Sequence, residues 1–538
     1  MKSTISVMLP LAVMLLYSAN ATAQANQSLS NLNAVTAVNQ NLMPVSNNLK
    51  DLGGTSKWWR RLYLGNSIYL NNRLTFHQVG TDNFFVGPFA GKTTATGTSN
   101  LGLGFYALSS LSSGSKNTAT GYEALRVNTE GFNNSAFGYQ AMLFNQYGAE
   151  NTAVGYYALK QNIGGVQNTA LGANALELNT TGEQNTAAGY YALNQNNKGS
   201  FNTAGGAWAL TFNSTGNGNT AYGVNALYNN SQGSENTAIG GGALNFTATG
   251  NYNTASGSQA LAYNPQGSFN TASGWNALFY NDTSAYNSAL GYAAGDNYTN
   301  ASRNTFIGAL ASSDKDGLTN STALGFDART TADNQVRVGN SQVTSIGGYV
   351  GWSNISDGRY KKDVRENVQG LAFINKLKPV TYHLDITGID ERMAMKKQSR
   401  EHNRKPSVIP AINKQNAREK EAVLYSGFIA QDVEAAAKET GYDFSAVDKP
   451  KSDDDLYSLR YSDFVVPLVK AVQELSVKND EMKQENAELR KELDELKNLI
   501  REKIPVLAAE ITDAWLEQNS PNPVKGNTAI NYNLPENF

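Results

Sequence analysis

The central part of the chain repeats one pattern of small, apolar and polar positions at a fixed interval of 17 residues. Asn recurs at this interval fourteen times, from Asn83 to Asn304. A Gly follows four positions after each Asn and an Ala seven positions after it, and these two columns run on to Gly325 and Ala328. A fixed period of this length predicts a solenoid in which one short unit is stacked in tandem.

The clearest rows of the repeat read N-T-A-x-G-x-x-A-L, as in Asn117 to Leu125. Seventeen residues are too few for two packed helices, and Gly, Asn and Thr are poor helix formers. The pattern therefore predicts two short strands per coil, and parallel strands about 4.8 Å apart would stack fifteen coils into a rod of roughly 70 Å. A second Gly column runs from Gly80 to Gly267. We assign both Gly columns to turns that need a positive φ.

The remaining columns predict how each coil is packed. We interpret the Asn column as a ladder of stacked side-chain amides that satisfies turn backbone, in preference to a row of ligand contacts. The Ala columns leave little room inside a coil, so the core of one chain should be thin. We therefore expect the Leu column and the large aromatic residues to pack against sister chains, among them Leu108, Leu125, Leu159, Leu176, Leu193, Tyr157, Tyr191, Trp208 and Trp275.

Composition excludes several classes of function. The net charge is −2, and residues 80–330 hold 8 Lys or Arg against 12 Asp or Glu, so the rod has no basic stripe for nucleic acid. The chain has no Cys, which excludes disulfides and thiolate metal sites. The three His residues, His77, His383 and His402, are scattered, so neither a metal site, a cofactor nor a His-based triad is predicted.

The N-terminus has the pattern of a secretory signal at residues 1–23. Lys2 precedes the apolar run Ile5 to Tyr17 and the small-residue site Ala21 to Ala23. Residues 24–79 are expected to form a leader with short strands. No later stretch has the roughly 20 apolar residues of a membrane helix. We expect an exported protein, either extracellular or attached to the outer surface of the cell.

The pattern changes after the repeat, which spans residues 80–330. A Gly-rich neck at 331–355 leads to S-D-G-R-Y-K-K-D-V at Ser356 to Val364, and Leu371 to Tyr382 predicts a helix followed by a strand. The basic insertion from about Asp385 to Glu421 is interpreted as a disordered loop. The motif G-F-I-A-Q-D-V-E at Gly427 to Glu434 opens another helix.

Residues 468–504 have the 4-3 spacing of a coiled coil. The predicted seam consists of Val472, Leu475, Asn479, Met482, Asn486, Leu489, Leu493, Leu496 and Ile500. Glu485 with Arg490, and Glu492 with Lys497, fall at the charged flanking positions. The seam predicts self-association, although by itself it leaves a dimer and a trimer open.

Two resemblances make this organisation more specific. The rows resemble the head repeats of trimeric autotransporter adhesins, which are parallel β-rolls with slightly shorter coils. Residues from Ser356 to about Ile504 resemble the C-terminal intramolecular chaperone domain of phage tail spikes and endosialidases, the S74 peptidase family. The expected fold is an all-β repeat solenoid, a parallel β-roll, followed by an α+β chaperone domain at 356–467 and an α-helical coiled coil, in a homotrimer.

The second resemblance implies a self-cleavage site. In that family the domain templates trimerisation and then cuts itself off, which implies Ser356 as nucleophile, Lys361 as base and Ile355–Ser356 as the scissile bond. Asp357 and Arg359 match the same motif and are expected to position the pair. A lysine amine can serve as the base only if desolvation lowers its pKa from about 10.4 towards 7, and burial on assembly would supply that desolvation. Without the resemblance, these residues predict only a turn and a solvated lysine pair.

The last segment, residues 505–538, includes a motif that conflicts with self-cleavage. Leu516 to Pro535 resembles the first strands of the type A sorting domain of type IX secretion in Bacteroidetes, through Gln518, Asn519, Pro521, Asn522, Pro523, Thr528, Ile530, Leu534 and Pro535. A polar disordered tail is the alternative interpretation. Cleavage would separate the rod from this signal, so either the dyad is inactive and the domain serves as a clamp, or cleavage follows export, or the halves stay associated. We favour the first interpretation, an inactive dyad in a domain that serves as a clamp.

Together the sequence predicts an exported, homotrimeric, fibrous surface protein of Bacteroidetes, adhesin-like or tail-fibre-like, with a glycan or protein ligand. One alternative is a structural stalk or surface-layer component without a receptor. The other is a polysaccharide depolymerase, which needs a carboxylate pair, whereas Glu123, Glu150 and Glu183 are sparse and unpaired in the sequence. The only enzymatic activity predicted is single-turnover self-cleavage.

Overall fold

The computed structural model describes residues 67–70, 73–296, 300–392, 414–451, 455–503, 515–516 and 532–533. The chain divides into two units, Met1–Gln78 and Val79–Phe538. In the leader, β1 (Ser67–Leu70) pairs antiparallel with β2 (Arg73–Val79). The signal segment 1–23, His402 and the matching elements of the sorting motif lie outside the described residues.

A stack of short parallel strands forms the rod. Each strand pairs with its counterpart one coil later, and Thr118 stands opposite Ser135 at the offset of 17 residues. The strands are β3 (Asn83–Val86), β4 (Leu101–Leu103), β5 (Thr118–Thr120), β6 (Ser135–Phe137), β7 (Thr152–Val154), β8 (Thr169–Leu171), β9 (Thr186–Ala188), β10 (Thr203–Gly205), β11 (Thr220–Tyr222), β12 (Thr237–Ile239), β13 (Thr254–Ser256), β14 (Thr271–Ser273), β15 (Ser288–Leu290), β16 (Thr305–Ile307), β17 (Ser312–Ser313), β18 (Thr322–Leu324), β19 (Arg329–Thr330) and β20 (Val336–Val338). This is the predicted β-solenoid, with about 15 coils at a 17-residue spacing.

The prediction of two strands per coil is wrong for most of the rod. The second half of a coil is a series of turns whose amides reach the next coil, such as Leu125 N to Ala141 O at 3.0 Å. Among the described residues, a second ladder forms between β17 and β19 and at the bridges that join Phe246, Tyr263 and Tyr280. The reason is local, because residues of the Leu column have φ near +50°, as at Leu125, and a left-handed residue interrupts an extended strand.

The Leu column lies inside its own chain, which corrects the expectation that it faces sister chains. Leu108, Leu125 and Leu159 are fully buried, as are the Ala residues that flank them around the coil. Each Leu fills the space that two small Ala columns leave, so the coils share one continuous core. Complete burial of one Leu contributes about 1.5–3 kcal/mol. The aromatic residues Trp208 and Trp275, in contrast, remain exposed.

The amide ladder predicted for the Asn column is confirmed. Asn134 is representative, because its Nδ2 donates to Asn117 Oδ1 at 3.1 Å and to Gly148 O at 2.8 Å. Its backbone N donates to the same Asn117 Oδ1 at 3.0 Å. The column therefore satisfies buried backbone and side-chain groups at each coil, as buried polar groups require.

A second buried Asn ladder, which the sequence interpretation missed, runs parallel to the first. Asn145 Nδ2 donates to Asn128 Oδ1 at 2.7 Å and to Gly148 O at 2.9 Å, so this Gly carbonyl accepts from both ladders. The signal was present in the sequence, because these residues also keep the 17-residue interval. The members are Asn128, Asn145, Asn162, Asn179, Asn196, Asn213, Asn230, Asn264 and Asn281.

Gly occupies the two Gly columns for different physical reasons. The first needs a positive φ, as predicted, and Gly138 has a φ of +142°. The second does not adopt that conformation between Gly97 and Gly267, which corrects the prediction. A Cβ on Gly148 would lie 2.3 Å from Asn145 Oδ1 and 2.6 Å from Gly165 O, so this column is Gly because the two ladders and the next coil approach its backbone too closely for a side chain.

The second Asn ladder is interrupted once, at Thr247. A substitution that restores Asn at this position would test the stabilising role of the ladder. Among the described residues, Asn230 Oδ1 and Thr247 Oγ1 are buried without a hydrogen-bond partner. Thr247→Asn is expected to raise the free energy of unfolding by about 1–2 kcal/mol, because its amide would donate to Asn230 Oδ1. Denaturant unfolding followed by circular dichroism measures the change. Thr247→Val is the control, since it removes the unpaired hydroxyl without adding a donor. Asn should gain more stability than Val, and an equal gain from Val would contradict the ladder explanation.

The rod ends on a shorter coil, in which Thr322 pairs with Val336 at an offset of 14 residues. The C-terminal part then has 3-10 turns at Gly358–Tyr360 and Tyr461–Phe464. Its helices are α1 (Leu371–Ile374), α2 (Lys414–Glu421), α3 (Ala430–Glu439) and α4 (Val465–Lys503), and its strands are β21 (Val380–Tyr382), β22 (Tyr425–Gly427), β23 (Val447–Asp448), β24 (Ser458–Leu459), β25 (Trp515–Leu516) and β26 (Tyr532–Asn533).

These elements confirm the predicted helix and strand within Leu371 to Tyr382 and the helix after Gly427. β21 pairs antiparallel with β22, and the hydrophobic core of the C-terminal part gathers aromatic and small residues, including Phe373, Val433 and Phe464. The insertion 385–421 is not a loop throughout, because residues 386–392 and α2 are helical. Residues 393–413 lie outside the described residues.

Candidate functional site

The predicted dyad residues lie within hydrogen-bond distance of each other. Lys361 Nζ donates to Ser356 Oγ at 2.9 Å. The 3-10 turn at Gly358–Tyr360 brings them together, because it folds the five-residue interval back on itself and Lys361 N donates to Gly358 O at 3.2 Å. This places an amine beside a hydroxyl, as a Ser–Lys pair requires.

Asp357 and Arg359 shape that turn. Asp357 is its N-cap, and Oδ1 accepts from Arg359 N at 2.9 Å. The Arg359 guanidinium also donates to both carboxylate oxygens, with Nη2 at 2.6 Å from Oδ2 and Nε at 3.1 Å from Oδ1. The side-chain hydrogen bonds from Arg359, followed by its backbone amide, lower the pKa of Asp357. The pair is therefore ionised and holds the backbone between Ser356 and Lys361.

The dyad of a single chain faces water. Ser356 and Lys361 are exposed, and Ile355 on the other side of the predicted scissile bond is 95% exposed. In this arrangement the Lys361 amine donates its hydrogen bond to the Ser356 hydroxyl. The geometry of nucleophile and base is present, whereas the desolvation that the chemistry needs is not supplied by this chain alone.

A carboxylate from α4 fixes the start of α1. Glu474 Oε2 accepts from Leu371 N at 2.7 Å, and α1 has no cap from the side chain of its own N-cap residue, Gly370. A helix N-terminus favours an anion at this position. The contact joins the long helix to the chaperone-like part, and no local motif in the sequence identified it because the two residues are far apart in the chain.

Asp455 joins the C-terminal part to the last coil of the rod. Its Oδ1 accepts from Thr331 Oγ1 at 2.8 Å and lies 3.8 Å from Arg337 Nη2. Burial alone would raise the pKa of Asp455, but the hydrogen bonds from Thr331 and from the backbone of Lys451 and Leu456 hold it below its usual value. An ionised carboxylate therefore lies at the junction, a second contact that sequence spacing could not predict.

The other predicted residues of the rod form ordinary structural pairs. Glu123 accepts from Arg126 Nη1 and Gln140 Nε2, both at 2.6 Å, and Glu150 accepts from Gln167 Nε2 at 3.0 Å. Within the described ranges, no cluster of acidic or His residues could hold a metal ion. No helix in the same ranges is both long and apolar enough to cross a membrane.

The fold and the site define a class: a β-solenoid rod followed by a small α/β domain with a Ser–Lys pair at its first turn and a long C-terminal helix. Residues 356–442 match the family model of peptidase S74, the chaperone of endosialidase. The match begins at Ser356 and follows the solenoid, an organisation consistent with a tail-fibre-like protein. The comparison with curated proteins gives no match.

Proposed function

We propose that the protein is an exported, homotrimeric, fibrous surface protein of tail-fibre type. In this proposal residues 356–467 and α4 assemble three chains, and the solenoid presents a face that binds a glycan or protein ligand. The S74 match supports self-association, because that family model describes a chaperone domain. The adhesin-like role rests on the long repetitive rod, and a structural stalk without a receptor is the alternative.

The exposed seam of α4 is the observation that carries the assembly. The nonpolar seam residues are about half exposed or more, from 49% at Ile500 to 64% at Val472. Seven such side chains along one helix are unfavourable in water, and partner helices with the same 4-3 pattern would bury them. Asn479 and Asn486 would fix the register at some cost in stability.

The proposed mechanism is templated assembly. The C-terminal domain and α4 bring three chains together at one end, which raises the effective concentration of the rods for each other. Each coil contacts only its neighbours, so the solenoid can then form coil by coil. Sedimentation of residues 24–538 tests the proposal. We expect the mass of three chains, and a monomer at micromolar concentration would reject it.

The dyad is proposed to be a structural turn within this clamp and not an active peptidase. We expect purified full-length protein and its Ser356→Ala variant to give the same single band on a denaturing gel, because Lys361 Nζ and Ser356 Oγ are hydrogen-bonded as part of the turn and cleavage would separate the rod from the domain proposed to hold three chains together. Lys361→Ala should also leave the band unchanged. A shorter fragment that begins at Ser356, present in the parent and lost in both variants, would contradict this prediction and assign self-cleavage to the dyad.

A further inference from the structure

One face of the rod has no charge along its whole length. We define the sheet stripe as the positions one, three and five residues after each Asn of the first ladder, including the equivalent Ser321. The first two are outward positions of each strand, and the third follows the Gly turn. From Phe84 to Phe326, no Asp, Glu, Lys or Arg occupies any of these positions. The 8 Lys or Arg and 12 Asp or Glu of residues 80–330 all lie elsewhere on the coils.

Many of the exposed side chains of the stripe are apolar. Its middle column has exposed fractions of 40–54% at Phe137, Val154, Leu171, Tyr222, Ile239, Leu290, Ile307 and Leu324. The column beside it carries stacked rings, with centroids of Tyr122 and Tyr139 at 5.1 Å and of Tyr139 and Tyr156 at 5.4 Å. The first column is mainly Thr, whose hydroxyl and methyl groups tolerate burial in a sheet interface.

The stripe is large enough to form a protein interface. Fifteen coils at about 4.8 Å, and a width of four extended residues at about 3.3 Å each, give an area on the order of 900 Å². A standard protein interface buries about 800 Å² on each partner. The stripe has the area of a complete interface.

We propose that the sheet stripe is the surface along which copies of this chain pack on one another, parallel and in register, an inference that rests on the homotrimer proposed above. A partner must match a straight surface roughly 70 Å long with a repeat of about 4.8 Å, and a second rod has both properties. A small ligand or a short peptide would cover only a few coils. Copies joined through α4 at one end necessarily run parallel, so each coil meets its equivalent at the same height.

This arrangement assigns the remaining faces of the coils to solvent. Charged residues such as Glu123, Lys160 and Glu177 lie off the stripe, where they avoid burial against a sister chain. Binding of any outside ligand would then use these faces, which also carry exposed aromatic side chains such as Phe201 and Tyr252. The stripe is therefore an assembly surface, and the charged positions around it define its limits.

The absence of Cys from the chain allows a direct test by single-Cys labelling. Leu171→Cys places a thiol on the stripe, and Thr181→Cys places one in the same coil, at an exposed position outside it. In the assembled full-length chain, a soluble maleimide should label Cys at 171 at least about tenfold more slowly than Cys at 181, and the two rates should become equal in denaturant. Ile239→Cys should repeat the result four coils away, and circular dichroism confirms that each variant is folded.

Sedimentation of the same samples shows whether a negative result concerns the stripe as an interface or the homotrimer itself. Equal labelling of both positions in a trimer would overturn the stripe as an interface while leaving the homotrimer intact. A monomer with both positions equally reactive would reject the homotrimer and the interface together. Slow labelling at 171 in a dilute monomer would also overturn the inference, because another segment of the same chain would then cover the stripe.

Discussion

Gly165→Ala is expected to lower the free energy of unfolding of the rod by about 3 kcal/mol or more, whereas Gly164→Ala should leave it nearly unchanged. A Cβ on Gly165 would lie 2.4 Å from Asn162 Oδ1 and 2.4 Å from Gly182 O, and the second atom belongs to the backbone of the next coil. The coil could accept the methyl group only by separating from its neighbour. Overpacking at a site that cannot relax costs several kcal/mol.

The adjacent Gly164 provides the matched control. A Cβ there has nothing within 4 Å, and its φ lies outside the left-handed range. Ala at this position should also reduce the entropy of the unfolded chain slightly. Denaturant unfolding followed by circular dichroism compares the two variants. Equal losses of stability would show that the close approach of the two Asn ladders and the next coil does not explain the second Gly column.

The second large effect is expected on assembly. In the double variant Leu489→Lys and Leu493→Lys, recovery of trimer after denaturation and dilution should be at least about tenfold slower than in the parent, because two seam positions would carry charge in each chain. Lys is a good helix former, so α4 itself should remain helical. Sedimentation and gel filtration during refolding measure the recovery.

The control for this experiment is Ala487→Lys, which lies on the same helix outside the seam. It adds a Lys to each chain without placing charge between helices, and its recovery should equal that of the parent. If the seam variant recovered trimer as fast as this control, α4 would not template assembly. The rods would then have to find one another without it.

Much of the rod could be predicted because its signal is repeated in every coil. The period alone predicts the solenoid, and the Asn column predicts an amide ladder since a buried polar side chain at a fixed interval must find its partner in the next coil. The expectation that the Leu column faces sister chains was wrong for a physical reason. A column in a sequence shows that a position is equivalent in every coil, but its direction depends on φ, and the left-handed Leu125 turns its side chain inward.

In the C-terminal site, too, local features could be predicted from the sequence and tertiary contacts could not. The motif around Ser356 predicted which residues form the turn, because the hydrogen bonds between Asp357 and Arg359 join residues only two positions apart. The residues alone also predicted a solvated lysine pair, and Ser356 and Lys361 are exposed. The burial that self-cleavage needs could not be predicted, since it depends on which surfaces of the domain pack together. The contacts of Glu474 with α1 and of Asp455 with Thr331 join residues more than one hundred positions apart, and a single sequence has no signal for them.

The sequence by itself determined the period of the rod, the position of its glycines, the long C-terminal helix and the family motif that begins at Ser356. Each of these follows from local geometry or from a repeated interval. Only the tertiary structure decided that Leu fills the coil, that a second Asn ladder meets the first at Gly148, and that an uncharged sheet face remains exposed. Those features depend on which side of the backbone each column takes, and that direction is set when neighbouring coils close their hydrogen bonds.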